Sequence, residues 1–175
     1  MTNTAIAQAV EPLRADAMER TRKAAIDLAE RTIADQSANP AAYVYPFGMG
    51  NREWKMQKAR RDRFLSLVDS KSVYDRSMQG GYREIYTRNE EKIAEFVSKA
   101  VEAAGAQYTA FIAKLEDKVG AHTAATLEGS HVWGYSFLTV TKADGAVEVW
   151  KTQQITNVSV HGLLFNQWPS RKVKK

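Results

Sequence analysis

The chain has 175 residues, 25 Lys/Arg against 20 Asp/Glu, a net charge of +5, 44% hydrophobic residues and no cysteine. Such a composition belongs to a folded domain with a real core, and it excludes disulfides, thiolate nucleophiles and cysteine-based zinc or iron–sulfur sites. No apolar run is long enough for a transmembrane helix, and the N-terminus has no basic stretch followed by an apolar one, so a cytoplasmic protein with no membrane partner is expected.

Residues 4–38 are alanine-rich and read as one long helix or two. Ile6, Val10, Leu13 and Ala17 recur at helical spacing, Ala24 and Leu28 resume the pattern, and Ile26, Ala29 and Ile33 form a second row. Pro12 interrupts a single helix, because it lacks an amide donor and crowds the preceding turn. The expectation is either a start near Glu11 or a kink. A long narrow stripe of small residues needs a cover, supplied by the same chain or by a second copy, and a homo-oligomer is expected.

Ala41 to Gly50 reads as an aromatic loop. Its glycines fit neither a Walker loop nor a GxGxxG fingerprint. Asn51 is placed as the cap of a helix reaching to about residue 68. Here Arg52, Lys55, Lys58, Arg60, Arg61 and Arg63 crowd into twelve residues. On a helical projection Arg52, Lys55 and Arg63 fall within about 80° of one another, opposite Phe64 and Val68. A helix of this kind can lie along a phosphate backbone, or it can simply be a solvated face paired with acids. Arg61 falls on the apolar side and needs a partner there.

From Ser70 to Tyr86 the periodicity breaks, and Gly80-Gly81 reads as a flexible or tightly turned connection. Tyr74, Tyr82 and Tyr86 are candidates for stacking on bases, weighed against the commoner role of pinning a loop to the core. The clearest helix follows, from about residue 87 to 119. Its apolar positions are Ile93, Phe96, Val97, Ala100, Ala104, Tyr108, Phe111, Leu115 and Val119, and Gly120 is the natural stop.

Residues 1–128 are thus expected to be helical and 129–175 to form an antiparallel β-meander with a basic tail. A two-residue Asp144-Gly145 turn would pair Val140 with Val149 and Thr139 with Trp150. Leu163 to Trp168 reads as a third strand or hooked return. Arg171 and Lys172 open a free tail that adds phosphate affinity. The stretch WKTQQITNVSVHG, followed by FNQWPSRK, resembles the C-terminal segment of small proteins encoded by phages and related mobile elements. That resemblance covers about the last fifty residues and carries no catalytic motif. It implies a viral origin, with no function attached.

Familiar catalytic chemistry finds little support. The three histidines, His122, His131 and His161, form no HExxH or HxH motif. A metal set of Glu128, His131 and His161 would be generic, and no GxSxG elbow accompanies Ser130. Adjacent acids such as Glu90-Glu91 and Glu116-Asp117 diverge by about 100° on a helix and make no acid–base dyad.

The charge is unevenly distributed: residues 51–92 carry 11 cations against 7 acids, and 129–175 carry 6 against 2. The fold class expected is α+β, with long helices packed on a small antiparallel sheet. The function expected is non-enzymatic binding of nucleic acid or another phosphate-rich ligand through Arg52, Lys55, Lys58, Arg60, Arg63, Arg171 and Lys172, with no cofactor or metal. The alternatives are an oligomeric protein-interaction module and an enzyme with an unfamiliar site.

Overall fold

The computed structural model describes residues 4–40, 50–78, 81–130, 135–153 and 171–172. Its elements in order are α1 (Ala5–Ala38), α2 (Asn51–Leu65), β1 (Val68–Asp75), β2 (Gly81–Arg88), α3 (Glu90–Val119), β3 (His122–Ser130), β4 (Tyr135–Lys142), β5 (Val147–Gln153) and β6 (Arg171–Lys172). A short 3-10 turn, Arg76–Met78, follows β1. Helices and antiparallel sheets are both present, so the class is α+β, with a two-stranded sheet β1-β2 and a four-stranded sheet β3-β4-β5-β6. The chain forms two compact units, one from Met1–Arg22 with Ala100–Lys175 and the other from Lys23–Lys99.

In the first unit the opening turn of α1 is capped by Thr4, whose Oγ1 accepts from the Ala7 amide at 3.1 Å and donates to Glu116. The helix then runs unbroken through Pro12, so neither a late start nor a break is needed. Pro12 is exposed, and it cannot donate to the Gln8 carbonyl. Ile6 and Val10 bury against Leu115 and Val119 of α3 and Leu138 and Val140 of β4. Further along, Ala17 meets Ala104 and Tyr108. Small side chains at this crossing allow close approach, and Gly105 extends it: a methyl group there would meet Met18 Cε at 3.6 Å.

The sheet of this unit begins earlier than the sequence pattern indicates. β3 occupies His122–Ser130, within the stretch read as helical, and pairs with β4 along its length. Between β4 and β5 the loop has three residues, not two. The Gly145 amide donates to the Lys142 carbonyl at 3.0 Å, the Lys142 amide donates to Ala146 at 2.8 Å, and Gly145 sits at φ 83°. The pairing therefore shifts by one, placing Leu138 opposite Trp150 and Thr139 opposite Val149. A type I turn closed by a left-handed residue twists with the strands and uses the glycine that the two-residue turn would also have used. Arg171 and Lys172, read as part of a free tail, are hydrogen-bonded as β6 in register with Lys151 and Trp150.

In the second unit α2 ends at Leu65, where Ser66 closes it, and residue 68 already belongs to β1. Its N-cap is Gly50 and not Asn51, with no side-chain cap hydrogen bond. Phe64, Leu67 and Val68 bury with Ala29 of α1 and Ile93 of α3, and Ile33, Leu65, Tyr86 and Phe96 pack around them. The segment read as irregular is a regular hairpin with eight paired positions, from Val68 opposite Arg88 to Asp75 opposite Gly81. α3 starts at Glu90, behind Asn89. The Asn89 Oδ1 accepts from the Lys92 amide at 3.0 Å, while its Nδ2 donates to Asp69 at 2.8 Å.

The apolar rows expected on α1 and α3 are largely buried within the chain itself. Ile6, Val10, Ala17, Ala25 and Ala29 are buried on α1, and Ile93, Val97, Ala100, Ala104, Tyr108, Leu115 and Val119 on α3. Thr21 and Thr32 join the buried row by donating their hydroxyls to the Ala17 and Leu28 carbonyls at 2.8 and 2.7 Å. Ile26 stays exposed. A second copy is therefore not required to cover these helices. The loop at 41–49, the third strand read at 163–168, and His131, Trp133, His161 and Trp168 lie outside the described residues.

Candidate functional site

Helix α2 divides its side chains as its sequence dictates. Phe64 is fully buried and Leu65 partly so, which fixes the inward face. Arg61 lies on that face, and its need for a partner is met by Tyr86 of β2. The guanidinium Nη2 donates to the Tyr86 hydroxyl at 2.9 Å, and its carbon stands 5.4 Å from the ring centroid. Tyr86 is in turn edge-on to Phe64, with centroids 5.0 Å apart. Arg61 and Tyr86 are structural partners, and Tyr86 is thereby withdrawn from the set of exposed stacking candidates.

The outward face carries Arg52 and Lys55, both exposed, with Arg63 half-buried in the last turn, while Arg60, also exposed, stands one turn before Phe64 at the edge of the buried side. Helical rise places Arg63 about 16 Å along the axis from Arg52, the length of roughly five phosphates of one strand. Lys58 is half-buried and reaches Asp62 at 2.5 Å, so one acid of the helix is matched by one of its cations. Exposed side chains among these cations are not all polar. Met56 is 64% exposed and Trp54 38%.

The hairpin supplies the second group of candidates. Tyr74 and Tyr82 are direct cross-strand partners on one face, their rings edge-to-face with centroids 5.5 Å apart. They are 53% and 72% exposed. Near them the Arg83 Nε lies 3.3 Å from Asp75, whose carboxylate also accepts from the Ser77 hydroxyl at 2.6 Å and the Ser77 amide at 2.9 Å. Those hydrogen bonds from Ser77, helped by the Arg83 charge, hold the Asp75 carboxyl below its ordinary range. Ser72 donates across the ladder to Glu84. Lys71 and Arg76 are exposed. Neither cation was singled out from the sequence. The signal was available in the β-forming residues Val73, Tyr74, Tyr82, Ile85, Tyr86 and Thr87 flanking the glycine pair, which mark a hairpin and so bring residues 71–76 beside 81–85.

Of the tail residues, Arg171 and Lys172 belong to the first unit and α2 to the second. Among the described residues no three His, Cys, Asp or Glu side chains are grouped to hold a metal ion, and no helix is long and apolar enough to cross a membrane. His122 Nδ1 lies 2.8 Å from the Gly120 carbonyl, close to the end of α3.

No family model matches the chain, and neither the curated proteins nor the solved structures include a match to it.

Proposed function

We propose that this chain is a non-enzymatic binding protein for nucleic acid or another phosphate-rich ligand, and that α2 is its principal contact. The observation that carries this reading is the outward face of α2, where Arg52 and Lys55 stand exposed and Arg63 half-buried while Phe64 anchors the other side. A guanidinium fork matches two phosphate oxygens, and lysine adds a mobile point charge. The face is rigid because its helix is pinned by Phe64 and by the Arg61–Tyr86 contact. Holding cations in place before binding lowers the ordering cost of the complex.

The test is the salt dependence of binding to oligonucleotides. Each phosphate neutralised contributes about −0.9 to the slope of log K against log salt for duplex and about −0.7 for a single strand. Arg52, Lys55 and Arg63 acting together predict a slope of about −2 to −3. Reversing Arg52 and Lys55 to Glu lowers affinity and flattens the slope by more than one. Absence of binding at low salt, or a slope unchanged by these reversals, refutes the proposal.

A protein-interaction module is the second reading, favoured by Met56 and Trp54 exposed among the cations. Binding of a protein that is lost on Met56→Asp and insensitive to Arg52→Glu would select it.

A further inference from the structure

The β1–β2 hairpin carries two large aromatic rings in water. Tyr74 and Tyr82 face each other across the ladder, yet 53% and 72% of their surfaces remain accessible. A cross-strand aromatic pair usually stabilises its own hairpin. This hairpin has other means of fixing its register. Its base is set by Val68 in the core and by Tyr86 against Phe64, and its far end by the Arg83–Asp75 pair and the Asp75–Ser77 turn. At about 3.4 Å per residue, Tyr74 stands roughly 20 Å along the strand from Val68, well beyond that core.

The arrangement of the rings is informative. The edge-to-face contact, with an interplanar angle of 69°, holds Tyr82 in one orientation while leaving most of it uncovered. A ring held in this way loses little freedom when a planar group is laid on it. Strand alternation puts Ser72 and Glu84 on the face of the pair and Lys71 on the other. Asp75 is matched by Arg83, and Arg76 stands exposed in the turn that follows β1, so the surface around the rings is of nearly balanced charge. Exposed tyrosine rings are sequence-tolerant platforms for the faces of unpaired bases, and the backbone charge is left to the cations of α2. Paired bases inside a duplex offer no free face to such a platform.

We infer that the hairpin is a base-stacking arm, on which Tyr74 and Tyr82 receive unpaired bases of a single-stranded nucleic acid. This rests on the proposed nucleic-acid reading and narrows it to a strand with accessible bases. The α2 cations bind backbone in either form, and the tyrosine pair distinguishes single strand from duplex.

The experiment is fluorescence anisotropy with labelled oligothymidylate and with a mixed-sequence duplex, on the full chain and its variants. Tyr82→Leu and Tyr74→Leu each weaken single-strand binding by about tenfold and leave duplex binding unchanged. Tyr82→Phe restores most of the loss, since stacking needs the ring and not the hydroxyl. Single-strand affinity unchanged in the leucine variants, with binding still abolished by Arg52→Glu and Lys55→Glu, overturns the stacking arm and leaves the α2 reading intact. Equal losses on single strand and duplex overturn it too. No binding of either oligonucleotide by the wild-type chain overturns both.

Discussion

Arg88, the last residue of β2, forms a two-pronged ion pair with Glu30 of α1, its Nη1 and Nη2 lying 2.6 and 2.7 Å from the two carboxylate oxygens. The same guanidinium turns its Nε to Glu90 at 2.5 Å, so one arginine joins the hairpin to α1 and to the first turn of α3. Its hydrogen bonds hold the Glu30 carboxyl below the ordinary carboxylate range. A carboxyl lowered by folding stabilises the folded chain above its unfolded pKa, and that contribution disappears as pH falls through the folded value. Glu30→Gln is therefore expected to lower the denaturant midpoint slightly at neutral pH and to match wild type in acid. Urea titrations at neutral pH and at about pH 3 check this. A difference persisting in acid would assign the effect to packing.

Gly105→Ala is expected to stabilise the chain by about 0.5–1 kcal/mol. The added methyl makes only ordinary contact with Met18, at 3.6 Å from Cε, and the helix gains a better former. An increase in the urea midpoint at constant m-value is the expected reading. A decrease would show that α1 and α3 tolerate less at this crossing than the distance indicates.

Gly145 behaves oppositely. No atom lies within 4 Å of a Cβ built there, but its φ is 83°. Gly145→Ala is expected to cost about 1–2 kcal/mol from backbone conformation alone, and Gly145→Asn distinctly less. Thermal unfolding of the two variants side by side measures the contrast.

Tyr108 is buried between α1 and α3, and burial pushes its hydroxyl up to about 12. Its folded pKa is raised above the unfolded value, near 10, so the stability it contributes is complete below that value and is lost as pH rises toward 12. Ultraviolet titration is expected to show one of the seven tyrosines ionising late, together with loss of structure. Tyr108→Phe removes that late step and makes the fold less sensitive to alkali.

Arg61 and Arg52 are nine residues apart on one helix and are expected to fail in different ways. Truncating Arg61 removes the hydrogen bond to Tyr86 and costs about 1.5–3 kcal/mol of stability, with oligonucleotide affinity of the folded fraction unchanged. Truncating Arg52 does the reverse. Paired denaturation and binding curves separate the two roles.

The long elements were legible because one buried face imposes one period. α3 displays it at Ile93, Val97, Ala100, Ala104 and Tyr108, and Gly120, at φ 75°, stops the helix where its lack of a side chain permits. β4 displays the other period through Leu138 and Val140, both buried. The β1–β2 hairpin was legible only in its β-forming residues and glycine pair, for a definite reason. Most of its positions are exposed on both faces, so no apolar alternation marks its strands. β3 was hidden in the same way, since Ala125 and Leu127 are its only described positions packed on the core. The α2 cations were found from clustering, and helical projection turned Arg61 inward, but its partner there, Tyr86, 25 positions away, was not legible.

Among the described residues the β1–β2 sheet has two strands, and so both of them are edges. An edge strand offers unused amides and carbonyls to any extended chain that meets it. Lys71, Arg83 and Glu84, exposed along the ladder, oppose that encounter by requiring an incoming strand to bury charge. Exchanging Lys71 for valine would leave the Arg83–Asp75 and Ser72–Glu84 contacts in place while making the edge of β1 more receptive to a second strand. The exposed charge of this hairpin therefore weighs against edge-to-edge pairing of separate copies.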